Sequence, residues 1–255
     1  MSGEFKTAIV RRPGPDFGTG LTTATGEPPD FEKALEQHRA YIEALARLGV
    51  DVVELDALSR FPDAYFVEDT AVVCETVAVV TRPGAEERRG EEESIEPVLA
   101  RFRPIERIGS PGTVDGGDVL EVGDHFLIGV SDRTNEEGAG QLGEILSRHG
   151  KTWSAMAVGS GLHLKSSLAA LDDETLLVTP EYVNRQELKA WEKVVVETGE
   201  EYAANTLAVN GTLLVPAGYP GVLRKLEARG FPLVVLDVSE ARRMDGGLSC
   251  MSLRF

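Results

Sequence analysis

Cysteine is scarce in this chain, with only Cys74 and Cys250 among 255 residues. Two thiols do not make the disulfide framework that staples small secreted domains. Basic residues are also short, 26 against 42 acidic, for a net charge of −16. A field of that sign repels nucleic acid and anionic membrane surfaces, and it suits a small cation as partner. No apolar run approaches the length of a membrane span. The opening MSGEFKTAIVRRPG has neither the apolar stretch nor the small-residue cleavage site of a secretory signal, so the expected location is cytoplasmic. CxxC, HxxxH and an alternating-acid calcium loop are all missing, as are GxGxxG and GxxxxGKS. Nothing in the spacing therefore calls for a metal, nucleotide or other cofactor. The 27 glycines and 13 prolines are scattered, leaving no linker, and 42% apolar content is enough for a sizeable core. A single unit over 1–255 is expected.

What is present is repetition. Apolar residues recur at three- and four-residue spacing in FEKALEQHRAYIEALARLG, ESIEPVLARF, EEGAGQLGEILSRHG and GVLRKLEARG, predicting four helices. Short strands follow them: VDVVEL, PIERIG, TWSAMAV and PLVVLDV. Between these lie four hairpin-like stretches opening at Glu68, Asp118, Lys165 and Asn205, with turns such as VGDH, DDET and VNGT. A fifth hairpin exists only if the terminal strands, KTAIVRRPG and LSCMSLRF, pair with each other. Cys250 then opens the fifth unit. The five polar openings are about 40 to 50 residues apart, which predicts an α/β propeller of five blades whose equivalent strand starts face one axis.

That axis would collect an unusual set of groups. PDAYFVEDT carries Asp63, Glu68 and Asp69; VDGGDV carries Asp115 and Asp118; GLHLKSS carries His163. Burying so many carboxylates unpaired is costly, so a cationic substrate is the natural counterpart. His38, inside a helix pattern, and His149, at a helix end, read as structural, and His125 sits in a hairpin turn. His163 stands at the mouth of a strand, where it is either a satisfied core residue or a partner for a thiol. Cys74, in TAVVCETVAVV, reads as a small buried hydrophobe, whereas Cys250 stays open between packing and chemistry. Arg88 and Arg133 follow the exit loops of two hairpins and have the geometry to grip a carboxylate bidentately, if they are not mere surface charge. The glycine-rich segment 13–30, with Leu21 near its centre, is long for a connection and reads as a lid, with a disordered loop as the alternative.

Taken together, FVEDTAVV, TRPGAEERRGE, VDGGDV, SDRTN, GLHLKS and DGGLSC resemble, in order and across nearly the whole chain, the dimethylarginine dimethylaminohydrolases of the guanidino-group-modifying superfamily. The resemblance implies a five-bladed α/β propeller that hydrolyses Nω-methylated L-arginine to L-citrulline and a methylamine. It casts Cys250 as nucleophile, His163 as acid and base, and Asp115, where some members carry Glu, as the group orienting the imidazole. Asp63, Glu68 and Asp69 would hold the guanidinium, Arg88 and Arg133 the α-carboxylate; Leu21 falls at the lid position and Met244 where a backbone carbonyl meets substrate. An arginine deiminase-like hydrolase of another guanidino compound is the alternative, though no inserted helical bundle is present; a non-catalytic propeller binding protein is a remoter one. The propeller's edges leave room for a homodimer.

Overall fold

A computed structural model describes residues 4–255; the first three residues of the expected 1–255 unit lie outside the described residues. The chain opens with β1 (Thr7–Arg11), α1 (Phe31–Arg47) and β2 (Asp51–Leu55). The next unit holds β3 (Ala71–Val73), β4 (Ala78–Val80), α2 (Glu96–Leu99) and β5 (Ile105–Arg107). It is followed by β6 (Val119–Val122), β7 (His125–Val130), α3 (Glu136–Arg148) and β8 (Thr152–Ala157). A fourth unit has β9 (Leu168–Ala170), β10 (Thr175–Val178) and β11 (Glu192–Val195), crossing between the last two through short 3-10 turns. The chain ends with β12 (Leu207–Val209), β13 (Thr212–Pro216), α4 (Pro220–Ala228), β14 (Leu233–Leu236), α5 (Ser239–Arg242) and β15 (Ser252–Arg254).

These strands form five three-stranded sheets, ordered β15-β1-β2, β3-β4-β5, β6-β7-β8, β9-β10-β11 and β12-β13-β14. In each, the middle strand pairs antiparallel with one neighbour and parallel with the other. The antiparallel pair needs only a tight turn, the parallel pair a crossover. Asn210 and Gly211, both at positive φ (47° and 81°), make the β12–β13 turn, the backbone that a two-residue hairpin requires. The termini close the ring as the sequence predicts: Ala8 faces Arg254, Ile9 faces Leu253, and Val10 faces Ser252.

Five apolar clusters hold the ring together, each drawing on neighbouring blades. Ile9 and Leu253 pack with Val67 and Ala78; Val79 with Phe126 and Ile128; Leu127 with Leu168 and Leu176; Leu177 with Leu213 and Val215; Leu214 with Ala8 and Val10. Cys74 sits in one of them, 4% exposed, as the small hydrophobe it reads as. With the apolar residues spent between blades, the axis is left to polar ones. The polar openings, however, do not lie on strands. Glu68, Asp118 and Lys165 stand on single 3-10 turns just before β3, β6 and β9, and Asn205 caps the one before β12.

Two expectations shrink. ESIEPVLARF forms only a 3-10 turn and the one-turn α2, with Pro97 at its start. Segment 13–30 is anchored in its first half, where Phe17 is buried edge-on to Tyr65 and Phe66 at centroid distances of 5.1 and 6.0 Å. Only its second half, beyond Leu21, is mostly exposed.

Candidate active site

His163 precedes the 3-10 turn Leu164–Ser166 and is 6% exposed. Its Nε2 lies 3.0 Å from Oδ2 of Asp115, which is wholly buried. Asp115 is itself fixed: its Oδ1 accepts the Gly84 N–H (2.9 Å), and its own N–H donates to Thr134 Oγ1 (3.1 Å). Asp69 stands alongside, 4.0 Å from Nε2, with Oδ1 accepting the Gly117 N–H (2.8 Å) and Oδ2 bound by Arg88 Nη1 (2.5 Å). Gly117 has to be glycine, because a Cβ there would lie 2.6 Å from His163 Nδ1 and 2.9 Å from Asp69 Oδ1.

These surroundings decide the ionisation of the imidazole. Burial alone would lower the pKa of His163. The charge of Asp69, the hydrogen bond to Asp115 and the charge of Asp118 outweigh burial and raise it to about 9. Asp115 moves the opposite way: burial opposes its ionisation, but the bond to His163 prevails and lowers it. At neutral pH the pair is imidazolium and carboxylate.

Cys250 lies in the turn before β15, half-buried. Burial first, then the charges of Glu68 and Asp69, push its thiol up to about 12. Cys250 and His163 line one cavity of about 360 Å³, together with Gly117, Lys165, Asn205 and Gly247. Thr23, Ala24, Arg242 and Asp245 form its outer part. Segment 13–30 reaches the turn leading to Cys250 here, as Thr23 N and Oγ1 both donate to Asp245 Oδ2 (2.5 and 3.0 Å).

Two expected substrate contacts are placed differently. Glu68, like Leu21, Asp63, Asp69, Arg88, Arg133 and Met244, does not itself line that cavity, and its carboxylate already holds Lys165 (2.6 Å), Arg254 (2.9 Å) and the Ser249 hydroxyl (2.8 Å). That arrangement braces the 3-10 turn against the end of the chain, and Glu68 N–H also donates to the Cys250 carbonyl (3.1 Å). Arg88 is not an open handle either. It is 5% exposed and binds Glu91 through Nε and Nη2, Asp69 through Nη1, and the carbonyls of Asp63 and Phe66. Arg133 is half-buried, and its guanidinium makes no hydrogen bond among the described residues. It lies near Asp63, whose pKa burial raises while the Leu21 N–H, Arg88 and Arg133 oppose the rise. The Leu21 N–H donates to both oxygens of Asp63 (3.1 and 3.0 Å). Met244 is buried in the core, which leaves only its backbone for a ligand.

Sequence reasoning misses several members of this network. Asn205 reads as a strand opening, yet its actual task is to tie Ser249 N (3.0 Å) and the Lys165 carbonyl (2.9 Å) together behind Cys250. Glu91 and Ser249 carry no local signal, because each is defined by a partner remote in sequence or across a turn. Asp69, Asp115 and His163 offer ligand atoms within 4.8 Å of one another, the spacing a metal would need. The bonds to Gly117, Arg88 and Gly84 already occupy those carboxylates, so an ion would have to replace the His163–Asp115 pairing.

A thiol and a carboxylate-backed imidazolium on the axis of an α/β propeller define a guanidino-group-modifying enzyme, and the family model for arginine deiminase matches residues 58–214. The chain is 47% identical to the N(G),N(G)-dimethylarginine dimethylaminohydrolase of Pseudomonas aeruginosa, over 98% of its own length and all of that protein. It is 37% identical to the enzyme of the same name from Streptomyces coelicolor, covering 98% and 96%. The structure superposes on the Pseudomonas enzyme, solved as a cysteine-to-serine mutant with citrulline, with a TM-score of 0.97 at 46% identity, covering 99% and 100% of the two chains. A second structure of that family, a histidine-to-glycine variant carrying an adduct with S-methyl-L-thiocitrulline, gives 0.96, also at 46% identity, covering 98% and 100%. The chain belongs to the dimethylarginine dimethylaminohydrolase family.

Proposed function

We propose that the protein hydrolyses Nω-methylated L-arginine, asymmetric dimethylarginine and monomethylarginine, to L-citrulline and a methylamine. The observation that carries the reading is the Cys250 thiol sharing a cavity with a His163 imidazolium that Asp115 holds at 3.0 Å. The reaction follows from those two protonation states. The arriving guanidinium is a positive charge beside Cys250, and it lowers the thiol's pKa where burial had raised it. The thiol gives its proton to solvent, and the thiolate bonds to the guanidinium carbon. The bond from that carbon to the methylated nitrogen then breaks, and that nitrogen leaves with the proton from His163. A thiouronium remains on Cys250. The now neutral His163 takes a proton from water as its oxygen attacks the same carbon; the carbon–sulfur bond breaks, and Sγ keeps the electron pair. The hydroxyl proton on that carbon passes to Sγ as the carbonyl forms, so citrulline departs and the thiol and imidazolium are restored.

The remaining groups take the roles that the resemblance to the family implies. Asp69, beside the imidazole, holds the guanidinium, with Asp63 as the second acid at the Leu21 end. Arg133, whose guanidinium makes no hydrogen bond among the described residues, grips the α-carboxylate, and Arg88 assists from its bed of acids. The Met244 carbonyl and the Leu21 segment cover the ligand. None of the described helices is long and apolar enough to cross a membrane. A cytoplasmic place and a homodimer remain part of the proposal, to be read by cell fractionation and by light scattering. The test of function is side-by-side turnover of asymmetric dimethylarginine and arginine, with mass detection of a Cys250 adduct after acid quench. Preference for arginine would favour a deiminase instead, and Cys250→Ser retaining turnover would remove the mechanism.

A further inference from the structure

One fully buried carboxylate that the mechanism above does not use links two segments it does use. Asp118 ends the Gly116–Asp118 turn and has no exposed surface. Its Oδ1 accepts the Leu164 N–H (2.9 Å), the backbone donor immediately after His163. Its Oδ2 accepts the Ser131 hydroxyl (2.7 Å). Ser131 Oγ in turn accepts the N–H groups of Arg133 (3.0 Å) and Thr134 (3.1 Å), while Thr134 Oγ1 receives the Asp115 N–H (3.1 Å). The strand entry carrying the imidazole, the turn carrying the free guanidinium and the backbone of Asp115 are therefore all referred to one side chain. The space is tight as well: a Cβ on Gly129 would lie 3.1 Å from Asp118 Oδ1.

Building on the function proposed above, we propose that Asp118 is a positioning residue that sets the distance between the leaving-group acid, His163, and the carboxylate grip, Arg133. It touches no substrate itself and acts through Leu164 N–H on one side and Ser131 on the other. An isosteric amide shows the difference. In Asp118→Asn the side-chain oxygen still accepts from Leu164, but the NH₂ cannot accept from Ser131, whose oxygen is already taken by two N–H groups. The substitution also removes one of the negative charges facing His163. The others come from Asp69 and Asp115, with Arg88 behind them and Lys165 and Cys250 on the cavity wall.

Two variants separate the two arms, each compared with wild type on asymmetric dimethylarginine. Ser131→Ala is expected to raise KM roughly tenfold or more, the loss of a hydrogen bond to a charged group, with kcat and its pH profile unchanged. The inhibition constant of a methylated guanidine lacking a carboxylate should stay at the wild-type value, since Arg133 has nothing to grip in it. Asp118→Asn is expected to raise KM similarly and, in addition, to move the His163 titration, followed by NMR, to lower pH. An unchanged KM in Ser131→Ala overturns the link to Arg133, and equal weakening of the carboxylate-free inhibitor does the same. A His163 titration at its wild-type position in Asp118→Asn overturns the link to the imidazole. If Asp118→Asn fails to fold, Ser131→Ala decides the proposal through KM alone. A wild-type protein inactive on methylarginines refutes the functional reading instead, and the NMR titration still tests the Asp118–His163 arm.

Discussion

The resting state of Cys250 gives the sharpest test of the mechanism. With its thiol pushed up to about 12, only roughly one molecule in thirty thousand carries a thiolate at pH 7.5. A guanidinium placed about 4 Å from the sulfur contributes about 4 kcal/mol at an effective dielectric near 20. That amounts to a downward move of about three pH units, to near 9, and raises the thiolate fraction about a thousandfold, to a few per cent. The assay is alkylation of Cys250 by a neutral haloacetamide across pH, with thiolate absorbance as a parallel reading. It is run with and without a non-reactive cationic amidine small enough to leave the sulfur accessible. Without ligand, the rate should climb steadily to above pH 10 with no plateau; with ligand, the plateau should appear near 9. A plateau near 6 to 7 in the free protein would mean that His163 already ionises the cysteine, and would refute the substrate-induced thiolate. A ligand that leaves the profile in place would refute it equally.

Asp115→Asn keeps the acceptor for the Gly84 N–H but discards the charge facing His163; kcat at pH 8 should fall roughly a hundredfold, with the alkaline limb of the pH–rate profile, where the imidazolium loses its proton, moved to lower pH. Gly117→Ala places a methyl against His163 Nδ1 and Asp69 Oδ1; a loss of about 1–3 kcal/mol in denaturant unfolding should accompany near-complete loss of turnover, and normal kinetics would show the cavity to be looser than the structure has it. His163 also makes stability depend on pH. Its folded pKa of about 9 lies above the unfolded value near 6.5, so its contribution is complete below pH 6.5. It is then lost as pH rises to 9, by at most about 3 kcal/mol. Urea midpoints measured across that window should fall, and His163→Gln should flatten the slope.

Several features are legible in the chain because they are local. The 3.6-residue stripes of α1, α3 and α4 and the turn residues of the hairpins depend on neighbours a few positions away, and the structure contains them. Asn210-Gly211 is such a case, a dipeptide whose left-handed backbone defines a hairpin wherever it stands. The ring is legible for a different reason: polar residues recurring every 40 to 50 positions mark equivalent places in a repeated unit, and each unit's apolar strands need a neighbour to cover them. The thiol, imidazole and acids can be named from the same pattern.

Their working states cannot. Glu68 and Asp69 are adjacent in sequence and identical in charge, yet successive positions of one 3-10 turn face different sides, sending Glu68 to Lys165 and Arg254 and Asp69 to Arg88 and the imidazole side. Arg88 and Arg133 look alike in their loops, but Glu91 and Asp69 capture the first, while the guanidinium of the second makes no hydrogen bond among the described residues and lies near Asp63. Asp118 reads as one acid among several until its oxygens are seen on Leu164 and Ser131. The sequence alone determined the repeat, the blade grammar and the inventory of reactive groups, because periodicity and composition are properties of a string. Tertiary structure decided which charges cancel each other and which face the cavity, because ion pairing and burial depend on distances between remote segments, as with Glu68 and Arg254, 186 residues apart, and no local pattern encodes those.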